Sequence, residues 1–323
     1  RVLEAVARLG FVEVLSLPFV SGAELDKMGL DAADPRRKTV RLANPLSDTH
    51  PFLRTSLLPG LFAAVVRNTS RSLTDLALFE QGTGFYDAGT PDAPRPGVHQ
   101  RPSDEELAAL DAALPTQTDT IAAVVCGNWV QPGWTGAGEP ATWRHVVAFA
   151  ETAASELGVR LTRRGAEAAP WHPGRCAELS VEGRAVGFAG ELHPEVCKAF
   201  GLPARTCAVE LNLGDLLEAA PHAGQIPPLS AFPLAKEDVA LIVDDKVAAA
   251  DVQEALAEGA GELLESICLF DIYTGEQAGE GKKSLAFALR FRADKTLTDE
   301  EAAQARQAAV AVAVERFGAV QRA

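Results

Sequence analysis

Three side chains in the last quarter of the chain can do recognition chemistry together: a carboxylate at Asp271, a phenol at Tyr273 and a hydroxyl at Ser284. An acceptor, a flat aromatic plate and a hydroxyl on one surface can read an unpaired nucleobase, by stacking and by hydrogen bonds to its Watson–Crick edge. A carboxylate in particular can accept from the N1 and N2 hydrogens of guanine. Arg290, Arg292, Lys282 and Lys283 complete the candidate set. The plainer reading is that a tyrosine on a small sheet packs and that the two lysines are solvated turn residues. Charge favours that reading: the formal net charge is −14, and residues 228–323 hold 10 Lys/Arg against 17 Asp/Glu, a local net of −7. This charge argues against a bulk electrostatic grip on nucleic acid, and any RNA contact must be local.

Other chemistry has less to stand on. The five cysteines (Cys126, Cys176, Cys197, Cys207, Cys268) lie far apart, without a CxxC pair or a Cys/His cluster, so no zinc site and no metal site is expected. They read as reduced, mostly buried thiols of a cytoplasmic protein. His172-Pro173 and His193-Pro194 read as turn formers with no evident nucleophile beside them, and no catalytic residue is expected. No stretch approaches the ~20 apolar residues of a membrane span.

The elements that must position the cluster follow from periodicity. Strand 283–292 alternates strictly: Leu285, Phe287, Leu289 and Phe291 share one face, and Ser284, Ala286, Ala288, Arg290 and Arg292 the other. Burying each large side chain is worth roughly 1.5–3 kcal/mol, so these four must face the helices and Ser284 the open side. A one-residue slip would reverse this. Asp271 and Tyr273 are two apart on the neighbouring strand, and a carboxylate favours the open side. Around them the spacing predicts strand 237–243, helix 247–258, strand 263–273, a helix opened by a Thr298/Glu301 capping box, and a last strand at 319–322. The order strand-helix-strand-strand-helix-strand is the ferredoxin-like βαββαβ arrangement.

Residues 221–233 hold four of the twenty prolines. The expected organisation is a core domain over 1–221, a linker over 222–233 and the terminal module over 234–323. The first domain reads as α+β, an antiparallel sheet backed by helices. A helix over 2–9 stops at Gly10, and strand-like alternation runs over 11–17. An apolar helix carries Leu57, Leu61, Phe62 and Val65; strand 76–86 is broken by Gly82 and Gly84. A Ser103/Glu106 capping box opens a further helix, followed by a buried strand at 120–127 and two strands within 176–192. Arg54 either touches a partner or caps its own loop.

The stretches ANPLSDTHPFLRTSLLPGL (43–61), LFEQGTGFY (78–86), WHPGRCAEL (171–179), GELHPEV (190–196), LFDIYTGE (269–276), GKKSLAFALRFR (281–292) and KTLTDEE (295–301) resemble, in order, the bacterial phenylalanyl-tRNA synthetase beta subunit family. The resemblance covers almost the whole chain and implies an inactive class II synthetase-like domain followed by a ferredoxin-fold anticodon-binding domain. Class II active sites need an arginine on the motif 2 strand and another on a glycine-led helix. Here LFEQGTGFY is followed by Asp87, and ELNLGDLLE (210–218) offers only Asp215 and Glu218 near Gly214. Acidic groups there repel phosphate. The resemblance therefore implies no cofactor in this chain, with ATP and Mg2+ bound mainly by an alpha subunit in an alpha2-beta2 tetramer. The partners implied are that subunit and tRNA(Phe), with no membrane and no DNA, and the helix bearing Leu57, Leu61, Phe62 and Val65 is a candidate subunit interface. In the terminal module it implies that Tyr273 stacks on the first anticodon base, a guanine, while Asp271 and Ser284 hydrogen-bond it. Lys236-Glu237-Asp238 departs from the family pattern, because Glu237 weakens the positive field expected there. The alternative is a free-standing tRNA-binding or regulatory paralogue without a catalytic partner.

Overall fold

The structure is a computed structural model that describes residues 1–89, 93–221 and 230–322. It divides into two compact units, Arg1–Gly224 and Gln225–Ala323. Most of the linker expected at 222–233 lies outside the described residues.

The first unit is built on a seven-stranded sheet. Its spatial order is Val12–Glu13, Leu76–Tyr86, Thr116–Cys126, Cys207–Asn212, Arg184–Leu192, Trp171–Val181 and Thr162–Gly165. All neighbours pair antiparallel except the two-residue edge strand, which runs parallel to Leu76–Tyr86. Both faces are covered, which explains the unbroken apolar run 121–126. Ile121, Ala123 and Val125 face a core that includes Phe79, Phe149 and Leu211. Ala122, Val124 and Cys126 face a second core under helix Leu58–Thr69. The expected strand over 11–17 shrinks to Val12–Glu13, and Leu15 and Leu17 come out exposed.

Strand Leu76–Tyr86 is not broken at its glycines. Gly82 and Gly84 are there for close approach. A Cβ at Gly82 would collide with the guanidinium of Arg54, and one at Gly84 would crowd the Thr118 hydroxyl and the Thr55 carbonyl. Arg54 is buried. Its Nη1 donates to Glu80 Oε1 at 2.6 Å and its Nε to the Thr83 carbonyl at 3.2 Å. Arg54 thus ties together elements of its own chain. Glu80 Oε2 has no hydrogen-bond partner among the described residues.

The four side chains named as a candidate interface, Leu57, Leu61, Phe62 and Val65, are fully buried in the second core. They cannot touch a partner while this core is intact, and this corrects the expectation. Helix Leu58–Thr69 is amphipathic, and its apolar stripe is consumed internally. Its outer side carries Gly60, Ala63 and Arg67, which with the exposed Leu15, Leu17 and Leu46 line an open groove of about 560 Å3.

The terminal unit holds a four-stranded antiparallel sheet in the order Leu264–Tyr273, Lys282–Phe291, Ala235–Asp244, Val320–Gln321. Numbered along the module this is 2-3-1-4, the ferredoxin-like order. Helices Ala249–Ala260 and Asp299–Phe317 cover one face, and Thr298 and Glu301 form the expected capping box. Leu285, Phe287, Leu289 and Phe291 are completely buried against them. All five cysteines are free, and only Cys268 is exposed.

Candidate nucleic-acid interface

The register of the terminal sheet decides which side chains meet. Tyr273 lies directly across from Ser284, and Asp271 across from Ala286. Directly opposed residues in an antiparallel pair share a face. Asp271, Tyr273 and Ser284 therefore stand together on the side away from the helices, with small Ala286 and Ala288 beside them.

A bulge makes this possible. On strand Leu264–Tyr273, Leu269 opposes Phe287 on the helix side, and the ladder then skips Phe270 before Asp271 opposes Ala286. Without the extra residue, alternation from Leu269 would send Asp271 and Tyr273 into the helices. A β-bulge re-aims the side chains that follow it. Before the bulge, Ser266 opposes Arg290 and Cys268 opposes Ala288, so both also belong to the open face.

Tyr273 is 38% exposed and outside the hydrophobic core. Its ring lies against the backbone at Gly275, where a Cβ would collide with the phenol. Over the ring, 5.9 Å from its centroid, sits the guanidinium of Arg322. Arg322 donates from Nη2 to Gln277 Oε1 at 2.6 Å, and its backbone N–H bonds the Ala240 carbonyl at 2.8 Å. A cation over an aromatic face is attracted by the ring quadrupole. Sequence reasoning missed Arg322, Gln277 and Gly275. Arg322 stands 49 residues from Tyr273, and only the pairing of Val320–Gln321 with Leu241 and Ile242 brings it to this face.

The other predicted residues divide. Ser284 faces the open side but is only 5% exposed, so its hydroxyl is nearly sealed among its neighbours rather than presented freely. Lys282 opposes Asp244 and is exposed on the face of Ser284. Lys283 opposes the core residue Val243 and bonds the Asp245 carbonyl at 2.7 Å from Nζ, so it points away from the cluster. Arg290 lies on the open face, with Nη1 3.4 Å from Asp238 Oδ1. Arg292, just past the strand, pairs with Glu265 and donates to the Phe232 carbonyl at 2.5 Å. Glu265 holds it in place and its charge is spent locally. Glu237 opposes Leu289 and pairs with Arg306 at 3.4 Å, on the helix side. It therefore subtracts less from the open-face potential than its place in the sequence suggested.

In the first unit, a cleft of about 580 Å3 opens over the sheet, lined among others by Asp31, Asp34, Arg36, Tyr86, Glu210 and Asp215. Its arginine is committed: Arg36 bonds Asp34 at 2.7 Å and the Ala169 carbonyl at 2.8 Å. Asp34 lies below the usual carboxylate range, because the hydrogen bonds and charge of Arg36 outweigh its partial burial. Burial pushes the Glu210 carboxyl up, against the Leu57 N–H, Arg36 and Ser56, which favour its charged form. Burial likewise pushes the Tyr86 phenol to about 12, and its hydroxyl donates to the Thr55 carbonyl at 2.8 Å. Asp215 is bound by Arg184 at 2.5 Å. A lining in which acids outnumber a single engaged arginine repels the phosphates of a nucleoside triphosphate.

The comparisons with known proteins agree in order and extent. Residues 1–213 match the family model "Phenylalanyl tRNA synthetase beta chain CLM domain", and residues 230–322 match "Ferredoxin-fold anticodon binding domain". The chain is 58% identical over 320 residues to the phenylalanine–tRNA ligase beta subunit of Cutibacterium acnes, covering 99% of this chain and 38% of that protein. It is 54% identical to that of Thermobifida fusca, covering 100% and 40%, and 54% identical to that of Streptomyces avermitilis, covering 100% and 39%. It thus spans about two-fifths of the length of these relatives. With a family model matched along about two-thirds of its length, the chain belongs to the phenylalanyl-tRNA synthetase beta-chain family.

Proposed function

We propose that this chain is the C-terminal part of a phenylalanine–tRNA ligase beta subunit, in which the first unit is a non-catalytic class II synthetase-like scaffold and the terminal unit binds the anticodon of tRNA(Phe). The observation that carries the second role is the bulge at Phe270, which turns Asp271 and Tyr273 to the face of Ser284. On this reading a guanine stacks on Tyr273, and its N1 and N2 hydrogens donate to Asp271. Arg322 offers a cation above the same ring. Ser284 comes into reach as the base parts the side chains around it.

ATP, magnesium and phenylalanine then belong to an alpha subunit, and the acid-rich cleft of the first unit supports that division. The groove beside helix Leu58–Thr69 is the better candidate for pairing with that subunit, since Leu15 and Leu46 are each 91% exposed there. Exposed leucines gathered in one groove mark interaction surfaces more often than solitary ones do. Expression with an alpha subunit and a mass measurement of the complex separates this reading from a free-standing paralogue, which would stay a monomer.

Base reading has its own test. Asp271→Asn in the assembled enzyme removes the paired acceptor. We expect discrimination between anticodon stem-loops beginning with guanine and with adenine to fall by about 1–3 kcal/mol, the worth of one good bidentate contact. Unchanged discrimination would remove Asp271 from the site. Gly275→Ala is expected to dislodge the Tyr273 ring and weaken tRNA binding toward the level of Tyr273→Ala. Fold stability should move by no more than about 0.5 kcal/mol, as for other surface changes. Wild-type binding by this variant, measured by filter retention, would show that the ring's seat is irrelevant.

A further inference from the structure

The bulge leaves one large side chain without a structural role. Phe270 is 57% exposed, although it stands on the strand whose Leu264, Ile267 and Leu269 pack against the module's core. It has no cross-strand partner. Phe270 and Asp271 together oppose Ala286, so Phe270 flanks the carboxylate of the open face. The strand is an edge strand, and among the described residues no strand pairs with its outer side. At a rise of ~3.3 Å per residue, Phe270 lies about 7–10 Å along the strand from Tyr273. A splayed single strand of RNA crosses that distance in one nucleotide step.

We propose that Phe270 is a second stacking plate, which takes the nucleobase adjacent to the one on Tyr273, with Asp271 between the two rings. This rests on the anticodon-binding reading and names a further residue of that site. Two features favour a base over a protein surface. Phe270 continues the face that already carries an exposed aromatic ring, a carboxylate and the cations Lys282 and Arg322. It is also followed in sequence by the acid Asp271, whose charge a purely apolar docking partner would have to desolvate. Stacking on an aromatic face tolerates any base and is worth about 5–150-fold in affinity.

The test uses the assembled alpha/beta enzyme and anticodon stem-loops carrying 2-aminopurine at one loop position at a time, since stacking on an aromatic ring quenches this base. Phe270→Ala is expected to weaken binding by about 5–150-fold and to release quenching at a single position, next to the one released by Tyr273→Ala. Phe270→Trp should keep both affinity and quenching, and Phe270→Leu should behave like Phe270→Ala. Restored binding in Phe270→Leu would mean that an apolar contact with protein, not stacking, is at work, and would overturn the proposal. So would unchanged affinity and quenching in Phe270→Ala while Tyr273→Ala still releases its own position; the anticodon-binding reading would then stand without a second plate. If neither alanine variant alters binding, that reading and this inference fall together.

Discussion

Replacing Arg54 by alanine is expected to destabilise the first unit by about 3–5 kcal/mol, the usual penalty for stripping one partner from a buried ion pair. The size follows from Glu80. Its carboxylate is fully buried, one oxygen already lacks a partner among the described residues, and Arg54 Nη1 at 2.6 Å is the cation that answers the other. Removing the guanidinium also frees the Thr83 carbonyl and opens a void beside Gly82. A domain stable by 5–15 kcal/mol loses a large share of that stability. All four tryptophans (Trp129, Trp134, Trp143, Trp171) lie in the first unit, so their fluorescence during urea denaturation reports it alone. A midpoint equal to the parent's would mean that the pair is not buried as described. Removing both charges in a double variant, Arg54→Met with Glu80→Gln, should recover much of the loss, because the penalty comes from the orphaned charge rather than from a missing attraction.

Tyr273→Ala is the second large effect. One base stacked on an aromatic ring is worth about 1–3 kcal/mol, so on the proposed anticodon-binding reading tRNA binding by the assembled enzyme should weaken about 5–150-fold. Phenylalanine activation, followed by pyrophosphate exchange, should stay at the parental rate, because the chemistry is proposed to reside in the alpha subunit. The variant should fold normally, since Tyr273 lies outside the core cluster. Parental tRNA affinity would remove the aromatic platform. A loss of activation equal to the loss of tRNA binding would point to a failure of assembly instead.

The terminal module was legible because its strongest signal, the alternation of four large apolar residues over 285–291, fixes a strand face with little competition. The open face was legible at Ser284 for the same reason. Asp271 and Tyr273 were assigned to it by the preference of a carboxylate for water, and counting outward from Leu269 would have given the opposite answer. A bulge leaves no periodic signature, so only the ladder reveals it. Lys283 shows the complementary limit, since adjacent lysines on a strand must point opposite ways. In the first unit, helix Leu58–Thr69 was plain from its stripe, yet a stripe cannot say whether it meets its own core or a partner. Here it meets its own. Gly82 and Gly84 read as breaks because closeness to Arg54 and Thr55 is a tertiary fact. Arg322 was invisible for the same reason.

The distribution of thiols has a practical consequence. Burial raises Cys126 and Cys176 to about 11 and Cys207 to about 12, and pushes Cys197 up as well, so none of these four is a ready nucleophile at neutral pH. Cys268 alone is exposed, and it stands opposite Ala288 on the face that carries Tyr273. A maleimide dye added to the folded chain will therefore attach at one point. That makes this chain, with no residue changed, a single-colour reporter of whatever settles on that sheet.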